Sequence, residues 1–226
     1  MNTNQHLYLS PTYFLDFQNE SLADVGQEMT KGHTGERDKA IALYYAVRDG
    51  WRYNPYLLDF RAESLRASHV FQQKEAHCVN KAILLAALLR QQGIASRMHF
   101  YQVRNHLGTS RLEEVLRTNV LVFHGATEVY LGNQWITITP AFNKALCTKL
   151  GVEPLEFDGE HEAIFQNYDR EKGKFMEYLH DYGPFHDLPY ELMLSEFRTA
   201  YGPVLSALGN GNWEPLQIRG LEILQS

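Results

Sequence analysis

The sequence predicts an α+β fold in which a central helix beginning at Cys78 packs on an antiparallel β-sheet. Residues 78–92 form a helical run that is apolar on nearly every side, which is typical of a buried helix at the centre of a domain. Further along the chain, short β-type segments follow one another. Two of them are joined by Gly132-Asn133, a strong hairpin signal.

Helices and a short strand are predicted before Cys78. Apolar residues at helical spacing predict helices over 21–31, with Ser21 as the N-cap, and over 36–49. Residues 51–53 predict a short strand. The polar composition of 61–75 predicts an irregular connection.

The segments after the helix alternate enough to predict strands, over residues 94–103, 120–123, 128–131 and 135–138. Beyond Pro140 the chain is rich in proline and mixes loops with short helices, such as 190–201. We therefore expect a core over 1–143 and a helix and loop extension over 144–226, packed on the core within one structural domain.

Composition excludes some classes of partner. The chain has 226 residues, 44% hydrophobic and 21% charged, which is ordinary for a globular protein. The net charge is −6 and the pI about 5.9. Both values argue against nucleic acid or an anionic membrane as a partner, because these ligands attract clustered Lys and Arg.

Targeting and cofactor signals are absent from the sequence. The first residues lack a basic segment followed by an apolar stretch, and no window is long and apolar enough to span a membrane. We expect a cytoplasmic protein whose two cysteines, Cys78 and Cys147, stay reduced. The spacing of histidines and cysteines matches no metal motif, so neither a metal nor another cofactor is predicted.

Cys78 and His124 together indicate nucleophilic chemistry. A helix N-terminus and a nearby imidazole lower a thiol pKa, to roughly 3.5–7.5 in known cases, and the helix offers backbone N–H groups to an oxyanion. An imidazole on a neighbouring strand can accept the thiol proton. Taken singly, a cysteine at the start of an apolar helix is more often a small core residue, and a histidine before a strand is more often a structural one.

Three blocks of sequence strengthen the catalytic hypothesis: ALYYAVRDGWRYNP at 42–55, ASHVFQQKEAHCVNKAILLAALLRQQGIASR at 67–97 and HGATEVYLGNQWITITPAFN at 124–143. Together they resemble the transglutaminase-like superfamily of papain-like cysteine enzymes, over residues 36–143. The resemblance implies a papain-like fold, with Cys78 as the nucleophile and His124 as the base.

Two positions depart from the family pattern. The third catalytic residue, an aspartate four positions after the hairpin tryptophan, is replaced by Thr139, and the glycine before the cysteine by His77. Thr139 accepts a hydrogen bond from an imidazole N–H but brings no negative charge, which weakens a thiolate–imidazolium pair. The ending T-P-A-F-N is similar to that of a bacterial branch of the family. Asp187 is an alternative acid for the third position.

The resemblance also implies substrate-binding residues. Trp51 and Tyr53 precede the cysteine helix where aromatic residues line the cleft in the family, and His77 adjoins the nucleophile. Core packing is the alternative for the two aromatic residues.

These features favour a thiol enzyme that hydrolyses an amide or peptide bond through a Cys78 acyl-enzyme, with a protein, peptide or small amide as substrate. A related alternative is acyl transfer to an amine. An alternative of another class is a catalytically weak or inactive module that keeps the fold for binding or for structure. The sequence makes no prediction about the oligomeric state.

Overall fold

A computed structural model describes residues 6–106, 113–114, 116–164, 176–209 and 216–217. The helices are α1 (Val25–Met29), α2 (Glu36–Gly50), α3 (Ala67–Phe71), α4 (Cys78–Gln91), α5 (Lys144–Leu150) and α6 (Tyr190–Gly209). The strands are β1 (Arg52–Tyr53), β2 (Leu57–Leu58), β3 (Glu75–Ala76), β4 (Ser96–Asn105), β5 (Val120–Leu131), β6 (Gln134–Ile138), β7 (Met176–Phe185) and β8 (Leu216–Gln217). Short 3-10 helices lie at His6–Tyr8, Glu20–Leu22 and Ala62–Leu65.

The main sheet has four antiparallel strands in the order β6-β5-β4-β7, and β5 and β4 are its inner pair. In their register Tyr101 is opposite His124 and Phe100 is opposite Gly125. The expected antiparallel sheet is therefore confirmed, and it places His124 on an inner strand.

Helix α4 packs on this sheet as its apolar sequence predicts. Every side chain from Ile83 to Leu89 is fully buried. The hydroxyl of Thr127, on β5, donates to the Ala82 carbonyl across a 3.0 Å hydrogen bond. Helices α2 and α3 also contact α4, so the predicted central helix of an α+β fold is confirmed.

Two segments of the sheet differ from the sequence prediction. Residues 120–131 form one continuous strand, whereas the sequence predicted two separate strands, over 120–123 and 128–131. Strand β7 lies in the extension, for which only loops and short helices were predicted. It is an edge strand, where a proline without an N–H is tolerated, and Pro184 is opposite His99.

The helices before α4 also differ in detail. The helix predicted over 21–31 is divided into a 3-10 turn, Glu20–Leu22, and α1. The N-cap of that turn is Asn19, whose side chain accepts a hydrogen bond from the Ser21 N–H. The segment 61–75, predicted as irregular, contains the 3-10 turn Ala62–Leu65 and α3.

The described part of the extension shares the core of the chain. Strand β7 completes the sheet, and α6 contributes buried residues to the main hydrophobic cluster, including Met193, Phe197 and Tyr201. Residues 165–175, 210–215 and 218–226 of the predicted extension lie outside the described residues. The boundary at residue 143 stays a prediction.

Candidate active site

Cys78 is the first residue of α4 and is partly exposed. The residue before it, His77, is the N-cap of the helix. Its Nδ1 accepts hydrogen bonds from the backbone N–H groups of Val79, at 3.1 Å, and Asn80, at 3.4 Å. An acceptor at this position satisfies N–H groups that have no partner inside the helix.

Strand β5 crosses the start of α4 at a glycine. A β-carbon on Gly125 would lie 2.8 Å from the Val79 Cα and 3.1 Å from the Cys78 carbonyl oxygen, so only glycine fits without a shift of the backbone. His124 directly precedes Gly125 in the chain. The close packing therefore brings the predicted base to the end of the helix that carries the predicted nucleophile.

The His124 imidazole is buried. The residue is 3% exposed, and its ring stacks near Phe142 with 6.5 Å between ring centroids. Its Nδ1 has no hydrogen-bond partner among the described residues. Burial, together with the nearby His77 ring, lowers the pKa of His124 to about 4, so the imidazole is neutral at physiological pH.

Thr139 directly follows β6, the strand next to the one that carries His124. The last residue of β6, Ile138, is opposite Thr127, which lies three residues after His124 on β5.

The hydrogen bond expected between Thr139 and His124 is not formed. The Thr139 hydroxyl is buried and lies near the Tyr178 hydroxyl; like His124 Nδ1, it makes no well-aligned hydrogen bond among the described residues. The Thr139 backbone is fixed instead, since its N–H donates to the Ala163 carbonyl at 2.9 Å. These two buried polar atoms thus form no direct hydrogen bond with each other. The assignment of Thr139 as third catalytic residue stays a prediction.

The electrostatics of Cys78 differ from the sequence expectation. Burial raises the pKa of the thiol above its usual value, and this effect outweighs the backbone N–H groups of Gly125 and Val79, which lower it. The expected depression of the thiol pKa by the helix end is therefore wrong for the free protein. In the free protein Cys78 is therefore a neutral thiol and His124 a neutral imidazole.

His77 has a structural role that the sequence did not indicate. Burial lowers its pKa to about 4, which agrees with a neutral ring whose Nδ1 accepts hydrogen bonds from the helix. Because His77 engages the N–H groups of Val79 and Asn80, it competes with an oxyanion for them. The N–H of Cys78, which as first helical residue has no intrahelical acceptor, is the better candidate for an oxyanion donor.

Lys81 fixes the surroundings of Cys78 from one helical turn further along. Its side chain is fully buried, and Nζ donates to the carbonyl oxygens of Arg48, Trp51 and Ala141 at 2.7, 2.9 and 2.9 Å. Burial lowers the pKa of Lys81 to about 7. The bond to Ala141 ties the segment after Thr139 to α4.

A pocket opens beside Cys78. Its lining includes Tyr53, His77 and Cys78, together with residues from β5 and α6. Tyr53 and His77 thus lie where substrate-binding residues were predicted. Trp51 does not line the pocket, because it packs in the core, where its indole N–H donates to the Val70 carbonyl at 3.1 Å.

The alternative acid is far from the site. Asp187 lies near Arg90, at the end of α4 opposite Cys78, and burial raises its carboxyl pKa. Glu128 is not available to His124 either, since its carboxylate forms hydrogen bonds with the side chains of Arg97 and His99 on β4. Neither carboxylate takes the third position beside His124.

Sequence reasoning missed several parts of the site. Gly125 had a signal, as a glycine directly after the candidate base. Phe197 and Tyr201 had a weaker one, since their four-residue spacing within a predicted helix indicates a shared face. Phe60, from the segment after β2, lines the same pocket and had no signal.

No group of three or more His, Cys, Asp or Glu side chains among the described residues is arranged to hold a metal ion. No helix in the same part of the chain is long and apolar enough to cross a membrane.

Comparison with known proteins gives one family match. The family model described as "Transglutaminase-like superfamily" matches residues 23–140, more than half of the chain. Among solved structures, a provisionally assigned cysteine protease from Cytophaga hutchinsonii is similar, with 16% identity and a TM-score of 0.47. The match covers 82% of this chain and 55% of that protein, so the chain spans about half of its length. No curated protein sequence matches significantly.

Proposed function

The chain belongs to the transglutaminase-like superfamily, and from this premise we propose that it hydrolyses an amide or peptide bond through a Cys78 acyl-enzyme. The expected family and the α+β, papain-like core are confirmed. At the level of the family, membership supports a cysteine-dependent enzyme. The reaction, the substrate and the roles of single residues are our proposal.

One observation carries the proposal. Gly125 packs on the first turn of α4 so closely that no side chain fits between them, and it joins His124 to the helix end that bears Cys78. A chain that used Cys78 only as a small core residue would not need an imidazole brought to the same place. The pocket beside the thiol supports the proposal, because it leaves room for a substrate.

In the proposed reaction, Cys78 Sγ forms a bond to the substrate carbonyl carbon while its proton passes to His124. The carbonyl oxygen becomes an oxyanion and accepts a hydrogen bond from the Cys78 N–H. The C–N bond then breaks, and His124 gives its proton to the leaving amine. Water attacks the thioester, loses a proton to His124, and releases the acid and the thiol.

The resting protonation states favour one version of this mechanism. Since the thiol pKa is raised and the imidazole pKa is lowered, Cys78 and His124 do not form a thiolate–imidazolium pair before the substrate binds. His124 acts as a general base while the C–S bond forms, rather than as the partner of a standing thiolate. A base with a pKa of about 4 accepts protons weakly, so slow turnover is expected.

Trapping of the acyl-enzyme tests the proposal. The full chain is treated with p-nitrophenyl butyrate, an activated acyl donor, and the release of p-nitrophenol and the mass of the chain are followed. We expect a burst of one equivalent and a butyryl group on Cys78. The burst should be lost in Cys78→Ala and kept in Cys147→Ala, since Cys147 is buried in a separate apolar cluster. Butyrylation of Cys147 at the same rate would contradict the proposal.

A binding or structural module remains the alternative candidate. The observation that favours it is that Thr139 does not bond His124, whose Nδ1 has no hydrogen-bond partner among the described residues. A module of this kind would give no burst with the activated ester. The same experiment therefore separates the two functions, and added hydroxylamine shows whether a Cys78 acyl-enzyme also transfers its acyl group to an amine.

A further inference from the structure

The pocket beside Cys78 is built from segments far apart in the sequence. Tyr53 and Phe60 come from the region of β1 and β2, Phe123 from β5, and Phe197 and Tyr201 from α6. Helix α6 lies beyond residues 23–140, the part that matches the family. We propose that this pocket binds an uncharged aliphatic or aromatic group of the acyl donor, and that α6 determines this specificity. The inference rests on the proposed function of Cys78.

The position of the thiol identifies what would occupy the pocket. Cys78 is itself one of the lining residues, so a molecule whose carbonyl carbon reaches Sγ places its acyl substituent in this space. The pocket contains about 580 Å³ of space free of atoms, part of it open to solvent. That space holds a side chain of the acyl donor rather than a folded partner.

The described lining residues carry no formal charge. None of them is Asp, Glu, Lys or Arg. The histidine among them, His77, is buried, and its Nδ1 accepts hydrogen bonds from two backbone N–H groups, as a neutral ring can. A carboxylate or ammonium group entering this space would lose its water and find no opposite charge, which is strongly unfavourable. An apolar group loses nothing by the same transfer and buries its surface.

The wall formed by α6 is tied firmly to the sheet. The Tyr201 hydroxyl donates to the Val120 carbonyl at 3.0 Å and accepts from the Val122 N–H at 2.9 Å, on the stretch of β5 before His124. The Phe197 ring packs on Phe60 with 4.6 Å between centroids. Aromatic rings fixed in this way give the pocket a defined apolar shape.

Matched maleimides test the inference. N-pentyl, N-carboxybutyl and N-aminobutyl maleimide react with thiols through the same group and differ in the charge of a similar chain. Each rate constant for Cys78 in the full-length protein, measured by mass spectrometry near neutral pH, is divided by that for N-acetylcysteine. We expect the pentyl compound to be favoured over both charged ones by at least about 10-fold. Equal ratios, or a faster charged compound, would overturn the inference.

A variant pair on α6 assigns the specificity to this helix. Phe197→Ala removes a ring from the wall and should reduce the preference several-fold, whereas Leu192→Ala, at an exposed position of the same helix, should leave it unchanged. A preference that persists in Phe197→Ala would contradict the role of α6. If Phe197→Ala does not fold, the comparison of the three maleimides on the unaltered chain still decides whether the pocket is apolar.

The maleimide ratio and the acyl-enzyme burst fail independently. The fraction of Cys78 that is ionised affects all three reagents equally and cancels in the ratio. If the chain shows the apolar preference but no burst, the pocket specificity is supported and the proposed hydrolysis is contradicted. If it shows a burst but no preference, the hydrolysis is supported and the pocket specificity is contradicted.

Discussion

Gly125 and Val79 pack so closely that a β-carbon on Gly125 would lie 2.8 Å from the Val79 Cα. This contact joins the strand that carries His124 to the first turn of the helix that carries Cys78. Such a distance is shorter than two carbon atoms tolerate, so one backbone would have to move. The relation of base to nucleophile therefore depends on the absence of a side chain at residue 125.

Gly125→Ala should move β5 away from α4. We expect a loss of about 1–3 kcal/mol in the free energy of unfolding, measured by urea denaturation, because the added methyl group overpacks the contact. Gly50→Ala is the matched control, since a β-carbon there meets nothing within 4 Å. It should be neutral or slightly stabilising. Equal stability of the two variants would show that the contact is not tight.

A carboxylate at residue 139 should restore the charge that the site lacks. In Thr139→Asp, the negative charge near His124 should raise the imidazole pKa from about 4 and stabilise a thiolate–imidazolium pair. Alkylation of Cys78 by iodoacetamide near neutral pH should then accelerate by about 10-fold, the equivalent of one pKa unit. Thr139→Asn, with the same shape and no charge, should show little change. Acceleration by Asn as large as that by Asp would exclude the electrostatic explanation.

His77 should make the protein less stable in acid. Its pKa is lowered from 6.5 to about 4 in the folded state, so between these values the unfolded chain binds a proton that the folded chain does not. The free energy of unfolding therefore falls as the pH falls through this window, by up to about 1.4 kcal/mol per pH unit for one group. His124 contributes a similar slope.

Two His77 variants separate titration from helix capping. Asn can cap the helix and does not titrate, so His77→Asn should flatten the dependence of stability on pH while keeping most of the stability at about pH 8. His77→Ala should also lose about 1 kcal/mol there, because the cap is gone. Urea denaturation across the pH range measures both effects. Parallel curves for the unaltered chain and His77→Asn would contradict the lowered pKa.

Lys81 should be essential to the packing around the site. Lys81→Met keeps the length of the side chain and leaves the carbonyls of Arg48, Trp51 and Ala141 without their donor. We expect a loss of about 2–4 kcal/mol in the free energy of unfolding. Lys74→Met, at an exposed position, should change it by less than about 0.5 kcal/mol. A stable Lys81→Met chain would show that the three carbonyls find other partners.

The parts of the fold that depend on local sequence pattern could be predicted from the sequence. Helix α4 was evident because its residues are apolar on all sides, and the positions of Cys78 and His124 followed from a helix start and a strand. The continuity of β5 was not evident. It comes from the pairing of β5 with β4, which runs from Val120, opposite Arg104, to Val129, opposite Ser96.

The chemistry of the site was less predictable than its location. A helix N-terminus favours a thiolate, yet burial of Cys78 by distant segments raises its pKa, and burial is not visible in the local sequence. The pocket could not be predicted either, because its lining comes from segments that are distant in the sequence. Phe60 and Phe197 pack together from opposite ends of the chain, and neither carries a motif.

The pH dependence of Cys78 acylation is the most direct test of His124 as general base. The burst with p-nitrophenyl butyrate is measured for the unaltered chain and for His124→Gln over the range in which both remain folded. For the unaltered chain we expect the rate to rise with a midpoint of about 4, the pKa of His124, and then to stay level to neutral pH. His124→Gln should lose this rise and react at least about 100-fold more slowly. An unchanged burst in His124→Gln, or no burst in either chain, would contradict a Cys78–His124 enzyme.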